Sequence, residues 1–292
     1  MAERNARLIL MVGVLGVSAS AILVRFSQAP SGVTAAYRLG WTVLLLLPVV
    51  LLRCRAELRR VTARDLVLCG ASGVLLALHF LTWFESLKRT SVASSTVLVS
   101  TEVIFTALGF ALFLHGKIPR LGVWAILLAF GGSALLALSG GGGAGGLSGN
   151  LLALAAASAA GVYTLIGRVQ RGHLSTTVYT FLTYLACFLT LLLGTAAAGT
   201  PLTGYGGREW LIGLALAVLC TLLGHSLFSW CLKYLSPSYV SAAKLCEPVF
   251  SSLAAIPLFG EVPGPLQLAG GAAVLGAVLL YTWAEREKTP AG

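Results

Sequence analysis

Long apolar runs, separated by short polar segments, recur along nearly the whole chain. Each run has about 18 to 23 residues, the length that a helix needs to cross a hydrocarbon core about 30 Å thick. A β-barrel would instead show shorter segments in which apolar and polar residues alternate. We therefore predict an all-α integral membrane protein with ten transmembrane helices. The predicted spans are 8–26, 33–52, 66–87, 92–114, 121–138, 151–169, 176–198, 210–232, 238–259 and 266–283.

The composition supports a membrane protein, and the basic residues predict its orientation. Of the 292 residues, 57% are hydrophobic and only 10% are charged, too few to cover a soluble globule of this size. The net charge of +10 is spread over short loops rather than gathered in one patch, so nucleic acid is not indicated as a partner. Alternate loops on the side of the N-terminus hold Arg4, Arg7, Arg53, Arg55, Arg59, Arg60, Arg64, Lys117, Arg120, Arg168, Arg171, Lys233, Arg286 and Lys288, whereas the other side holds Arg25, Lys88, Arg89 and Arg208. Basic loops stay in the cytoplasm, so we predict a multi-pass protein of the cell (inner, cytoplasmic) membrane with both termini cytoplasmic.

An internal repeat divides the chain into two halves of five predicted spans. The matching positions are Arg25 and Arg168, Trp83 and Trp230, Ser91 and Ser238, Glu102 and, within one residue, Glu247, and the segments 116–119 (GKIP) and 260–263 (GEVP). Because five is an odd number, the second half must enter the membrane from the opposite side, which gives an inverted repeat. We therefore predict a first repeat over residues 1–138, a glycine-rich linker over 139–149, a second repeat over 150–284 and a cytoplasmic tail over 285–292.

Two long segments of the repeat carry a family resemblance. They are WFESLKRTSVASSTVLVSTEVIF, which begins at Trp83, and WCLKYLSPSYVSAAKLCEPVF, which begins at Trp230 and is followed by LFGE. With them the chain resembles the EamA family of the drug/metabolite transporter (DMT) superfamily over nearly its full length. The first half departs from the family pattern, since Glu102 is not followed by proline and Lys117 replaces the glutamate of the Gly-Glu pair. The resemblance implies a central cavity lined by spans 1 to 4 and 6 to 9, with spans 5 and 10 outside it. It also implies export or exchange of amino acids or other small metabolites.

Two charged residues lie near the middle of the ninth predicted span. A charged side chain at the bilayer centre costs about 2.5 to 3.5 kcal/mol, so Lys244 and Glu247 are candidates for a functional site. Their i, i+3 spacing puts them on one helix face, where they either neutralise each other or open to hold a zwitterion, with its carboxylate on Lys244 and its amine on Glu247. Pro248 removes a backbone donor and predicts a helix kink at the same depth. Broken helices near the midplane are where carriers of this kind bind substrate.

Glu102 occupies the matching depth in the fourth span, and no basic residue lies within one turn of it. Its ion-pair partner must come from another span, and the candidates in the sequence are Lys244 and Arg38. Arg38, beside Tyr37, has an alternative role, because a long side chain near the end of a span can extend to the interface. Without a charged mate, Glu102 would favour its protonated form, as the carboxyl group of a proton-coupled carrier does. Protons are therefore a candidate coupling ion, and Tyr37 and Arg38 are candidate pathway residues.

Five aromatic or imidazole side chains complete the candidate transport pathway. They are His79, Trp83, Tyr163, His225 and Trp230. Imidazoles inside spans face the protein interior, which favours a place for His79 and His225 along the cavity. For each tryptophan the favoured prediction is an anchor at the membrane interface, and contact with the substrate is the alternative. Tyr163 either forms a hydrogen bond with the substrate or packs between helices.

These features together predict a secondary active transporter of small metabolites that works by alternating access. Charges of both signs at the midplane favour amphoteric, amino-acid-like solutes, and the alternative cargoes are nucleotide sugars, phosphorylated metabolites or drug-like solutes. A membrane enzyme acting on a lipid-linked substrate is less favoured, because the loops hold few of the acidic residues and histidines that such chemistry needs. A channel would not need the charged pair.

The expected partners are a small-molecule substrate and the lipid bilayer. The six cysteines are scattered without a CxxC pair, and the glycine-rich segment lacks the ending of a phosphate-binding loop. No catalytic residue, metal site or cofactor is therefore predicted. The sequence is compatible with a homodimer.

Overall fold

The computed structural model describes residues 2–113, 118–138, 146–231 and 246–286. These residues form helices joined by short turns, and no strand occurs among them. The helices of the first half are α1 (Ala2–Phe26), α2 (Ser31–Arg53), α3 (Arg55–Leu58), α4 (Ala63–Arg89), α5 (Val92–Val99), α6 (Glu102–Phe113) and α7 (Arg120–Leu138). Those of the second half are α8 (Gly146–Gln170), α9 (Thr176–Ala197), α10 (Gly207–Ala215), a π-helical segment (Leu216–His225), α11 (Ser226–Cys231), α12 (Cys246–Phe259) and α13 (Pro265–Arg286).

Seven helical segments are long and apolar enough to cross a membrane. They are Leu8–Phe26, Ser31–Arg53, Ala63–Arg89, Val92–Gly109, Gly146–Gly167, Thr176–Ala197 and Gly207–Phe228. Three further apolar helices, Arg120–Leu136, Cys246–Phe259 and Pro265–Tyr281, are shorter. The all-helical fold class is therefore confirmed with seven candidate spans, whereas the count of ten stays a prediction. The helix α8 begins at Gly146, inside the segment 139–149 that we predicted as a linker.

The helix α4 lies at the centre of the packing. It packs against α8 and α9, while α2 packs on α9 and α1 packs on the π-helical segment. Close approach depends on small residues, since a Cβ atom added to Gly73 of α4 would lie 2.5 Å from the Cβ of Ala186 in α9. Phe80 and Phe84 of α4 fill the main apolar cluster of this region. The helices α7 and α13 pack on each other and share a second cluster with α6.

The fourth predicted span is broken. It divides at Ser100 and Thr101, so that α6 begins at Glu102. Both side chains donate to backbone carbonyl oxygens of the preceding turn, Ser100 Oγ to Thr96 (2.9 Å) and Thr101 Oγ1 to Leu98 (2.6 Å). Such bonds offer the backbone an alternative to the helical ladder. The predicted span 92–114 is therefore interrupted within its described residues 92–113.

Candidate functional site

A small cavity lies where α1, α4, α5, α6, the π-helical segment, α11 and α12 meet. Within the part of the chain that the structure describes, its lining residues are Val17, Ser20, His79, Trp83, Thr96, Val99, Ser100, Glu102, Val103, His225, Phe228 and Glu247. The helices α7 and α13 contribute none of these described residues. The cavity has a volume of about 50 Å³. One water needs about 10 to 15 Å³ and a metabolite-sized ligand takes a pocket of about 300 to 1,000 Å³, so this cavity has room for a few waters but not for a substrate.

Two glutamates line the cavity, one from each half of the chain. Glu102 stands in the first turn of α6, directly after the break in the fourth span. The N-terminus of a helix carries partial positive charge, which favours a carboxylate there by about 0.3 to 1 kcal/mol. Glu247 is the second residue of α12 as the structure describes it. The two positions that match in the sequence repeat therefore meet on the wall of one cavity.

His79 and Trp83 of α4 stand together on the cavity wall. His79 Nδ1 lies 3.0 Å from the carbonyl oxygen of Ala156 in α8, and the rings of His79 and Trp83 stack with centroids 5.8 Å apart. Trp83 is only 4% exposed and lines the cavity, a position that favours the alternative role of substrate contact over that of an interfacial anchor. Trp230, by contrast, is 39% exposed on α11. His225, the last residue of the π-helical segment, lines the cavity from the opposite half.

Arg38 of α2 is completely buried beside the cavity. Its Nε donates to Thr221 Oγ1 (2.9 Å) and its Nη1 donates to Ser20 Oγ (3.1 Å). The guanidinium carbon lies 4.3 Å from the ring centroid of Phe80, a cation–π contact. The alternative in which Arg38 extends to the interface is therefore wrong. Within the described chain Arg38 also forms no ion pair with Glu102, so it is not the mate of that carboxylate.

The π-helical segment presents Thr221 to Arg38. The Thr221 hydroxyl donates to the carbonyl oxygen of Leu216, five residues earlier (3.3 Å), within the π-helical segment. The helix α1 approaches this segment closely, because a Cβ added to Gly16 would lie 2.5 Å from a backbone carbonyl oxygen of the segment. That approach brings Ser20 to the guanidinium. Sequence reasoning missed Ser20 and Thr221, whose only signal was a small polar residue inside an apolar run.

The remaining sequence candidates lie elsewhere. Tyr37 stacks on Trp210 at the start of α10, with ring centroids 4.2 Å apart. Tyr163 is half-buried and packs against the main apolar cluster. Pro248 is buried in the first turn of α12. Lys244 falls outside the described residues, so its ion pair and the kink at Pro248 both stay predictions.

Comparison with known proteins identifies the family. The model of the EamA-like transporter family matches residues 5–138 and 147–283. The chain belongs to this family. Its membership makes the protein a membrane transporter, and the two EamA matches fall one in each half of the chain.

Curated relatives of this EamA chain are named as exporters. The chain is 25% identical over 207 residues to the pseudopaline exporter CntI of Pseudomonas aeruginosa, and the aligned region covers 71% of this chain and 72% of the relative. It is 28% identical over 233 residues to a probable terminal-alkyne amino-acid exporter of Streptantibioticus cattleyicolor, and the aligned region covers 76% of this chain and 75% of the relative. A solved crystal structure of another protein superposes with a TM-score of 0.63 at 20% identity, covering 96% of this chain and 98% of that one, and this likeness shows the fold alone.

In this EamA chain a polar network joins the two halves where α1 ends, which we call the Arg25 end. Arg25 forms an ion pair with Glu261, just beyond α12, and its Nη1 donates to the carbonyl oxygen of Leu87 (2.7 Å). Glu261 Oε2 accepts from the backbone N–H of Val92 (2.7 Å). These bonds tie the ends of α1 and α12 to the turn between α4 and α5. The two halves are therefore held together at the Arg25 end.

Proposed function

We propose that the protein is a secondary carrier that exports or exchanges amino-acid-like, amphoteric metabolites by alternating access. The observation that carries the proposal is the presence of Glu102 and Glu247, one from each half, on the wall of one cavity. Carboxylates inside a membrane span are costly, and two of them at one place suit a cargo that carries an amine. The exporter names of two relatives, one of them for an amino acid, support the same cargo.

Substrate binding in this scheme requires a wider cavity than the described one of about 50 Å³. We propose that the two halves separate to open it and that the cargo's amine then binds Glu102 and Glu247. Lys244 is proposed to hold the cargo's carboxylate, with Arg38 as a second cation. Protons are the proposed coupling ion, and Glu102 is the proposed site that takes them up.

The proposed architecture has ten spans in two inverted repeats, residues 1–138 and 150–284. The seven long segments and the three shorter apolar helices supply the ten crossings. The excess of basic residues in alternate loops puts both chain termini and the end of α2 in the cytoplasm. In this arrangement each chain holds a complete pathway, so a homodimer would hold two.

Counterflow in proteoliposomes tests the proposal. Vesicles preloaded with unlabelled amino acids receive labelled ones, with Glu102→Gln and Glu247→Gln beside the parent. Glu85→Gln is the matched control, because Glu85 lies in a spanning helix outside the cavity and pairs with Arg89 (2.8 Å). We expect saturable counterflow in the parent and the control, and a loss of about tenfold or more in both cavity variants, since a hydrogen bond to a charged group contributes about 1.5 to 3 kcal/mol.

The outcomes separate the parts of the proposal. Full activity in both cavity variants would move the site elsewhere. No counterflow of amino acids in the parent would exclude this cargo and turn the search to nucleotide sugars, phosphorylated metabolites or drug-like solutes. If Glu102→Gln still accumulates substrate with undiminished dependence on a pH gradient, Glu102 is not the proton site.

A further inference from the structure

A basic pocket lies at the opposite end of the molecule, where α2 ends and α4 begins, which we call the Arg53 end. Its volume is about 840 Å³, and it opens between the α2–α4 connection and the end of α8. Three exposed arginines line it, Arg53, Arg60 and Arg64. Volumes of this size accommodate ligands as large as a metabolite or a lipid head group.

The acidic residues of the pocket do not neutralise these arginines. Asp65 accepts hydrogen bonds from the backbone N–H and hydroxyl of Thr62 (2.9 and 2.8 Å) and from Gln170 and His173 (3.1 and 2.6 Å). Glu57 accepts from the backbone N–H at the start of α9 (2.6 Å). Within the described ranges, none of the three guanidinium groups makes a hydrogen bond or ion pair with another residue. The pocket therefore presents three guanidinium groups that its own carboxylates do not bind.

Exposed apolar residues directly adjoin two lining residues of the pocket, Arg53 and Leu68, in the sequence. Leu52 is 83% exposed at the end of α2, and Val67 is 70% exposed in the first turns of α4. In a membrane transporter such side chains face the acyl chains of lipids. Guanidinium groups bind phosphate with several hydrogen bonds at once, and basic pockets between spanning helices are where anionic head groups bind. The juxtaposition of free arginines and lipid-facing apolar residues matches the two parts of one phospholipid.

We propose that the pocket at the Arg53 end binds the phosphate of an anionic phospholipid through Arg53, Arg60 and Arg64. The acyl chains of this lipid lie along Leu52 and Val67. Because α2 and α4 belong to the first half and α8 to the second, both halves line the pocket that holds the head group. With the orientation proposed above, the lipid belongs to the cytoplasmic leaflet; the binding itself does not depend on the proposed cargo.

Native mass spectrometry of the purified protein in mixed phosphatidylglycerol and phosphatidylcholine tests the site. The pocket variant is R53Q/R60Q/R64Q, and the charge-matched control is R55Q/R59Q/R120Q, whose arginines are exposed but are not among the lining residues. We expect the parent and the control to retain phosphatidylglycerol, and the pocket variant to lose about fivefold in affinity for each arginine removed. Equal retention in all three proteins, or an equal loss in both triple variants, would overturn the site.

A second measurement uses the unaltered protein and so does not depend on how the variants fold. Cys54 lines the pocket and is partly exposed, and Cys246 is partly exposed outside it. We expect maleimide to modify Cys54 more slowly in phosphatidylglycerol nanodiscs than in phosphatidylcholine nanodiscs, with Cys246 unchanged. Equal rates in both lipids would overturn the proposal. Protection of Cys54 by inorganic phosphate in phosphatidylcholine would show a free-phosphate site and would overturn the lipid assignment.

Discussion

At the scale of single residues, the unusual feature is an arginine that is completely buried and only partly satisfied. Among the described residues, Arg38 Nη2 has no hydrogen-bond partner, although Nε and Nη1 are both bonded. A buried donor without a partner costs about 1 to 3 kcal/mol, and more on a charged group. A carboxylate that reaches Nη2 when the cavity widens would offset this cost. Arg38 is therefore expected to favour cargo that carries a carboxyl group.

Replacing Arg38 by glutamine should remove that preference. We expect Arg38→Gln to reduce the preference for an amino acid over the amine that lacks its carboxyl group by about tenfold or more, because a charge-assisted hydrogen bond of about 1.5 to 3 kcal/mol is lost. The ratio of the two apparent KM values in counterflow measures the effect. Arg120→Gln, at an exposed position, is the control and should keep the ratio of the parent. If Arg38→Gln lowers the flux of both solutes equally, Arg38 has a structural role only.

At the scale of elements, the sequence predicted where helices lie better than where they are interrupted. An apolar run of spanning length is a local property, so it can be read without knowledge of the neighbouring helices. The break at Ser100 and Thr101 is not local. Thr106 makes a bond of the same type, donating to the carbonyl oxygen four residues earlier (2.8 Å), and α6 continues unbroken through it. A hydroxyl-to-backbone bond alone therefore does not determine whether the helix breaks. The surroundings of Arg38 could not be predicted from local sequence either, because its partner Thr221 lies 183 residues away in the chain.

Restoring a continuous fourth helix should impair transport without harming the fold. We expect the variant S100A/T101A to keep or raise the melting temperature, since alanine favours the helix and cannot bond to the preceding turn. Transport should fall by about tenfold, because Glu102 would lose its place at a helix N-terminus and turn away from the cavity. Melting in detergent and counterflow in proteoliposomes measure the two effects.

The matched control for this variant is Thr106→Ala. It removes a hydrogen bond of the same type from a part of α6 that is already regular. We expect its transport to stay within about twofold of the parent, because Thr106 does not line the cavity and α6 is already helical around it. Equal transport in the control and in S100A/T101A would mean that the break does not position Glu102.

At the scale of the whole molecule, the two ends of the carrier differ in charge. At the Arg25 end the ion pair between Arg25 and Glu261 joins the halves, with side chains 25% and 20% exposed. The sequence repeat assigns Arg168 and Lys117 to the matching positions of the Arg53 end. By sequence alone, that end has two cations where the Arg25 end has an ion pair. Like charges repel, so contact between the halves is expected to be more stable at the Arg25 end.

Removing this ion pair should open the Arg25 end. A further pocket, of about 420 Å³, is lined by Arg25, Ala255 and Glu261. Ala255 is only 1% exposed, so a cysteine introduced there by Ala255→Cys reports opening when maleimide reaches it. In a chain whose Cys54 and Cys246 are serine, we expect Glu261→Gln to raise the labelling rate about fivefold, the factor for an ion pair of about 1 kcal/mol. High salt should raise the rate of the parent towards that of the variant, because it screens exposed charges.

The control for this last experiment is Glu85→Gln, which breaks the ion pair with Arg89. That pair lies within α4, and the same carboxylate accepts from Ser31 of α2 (2.9 Å), so its bonds join only elements of the first half. A pair within one half cannot hold the two halves together, and labelling at position 255 should therefore stay at the rate of the parent. If both glutamine variants raise the rate equally, general loosening of the helices explains the result. If only Glu261→Gln raises it, the contact between the halves controls access to the cavity from the Arg25 end.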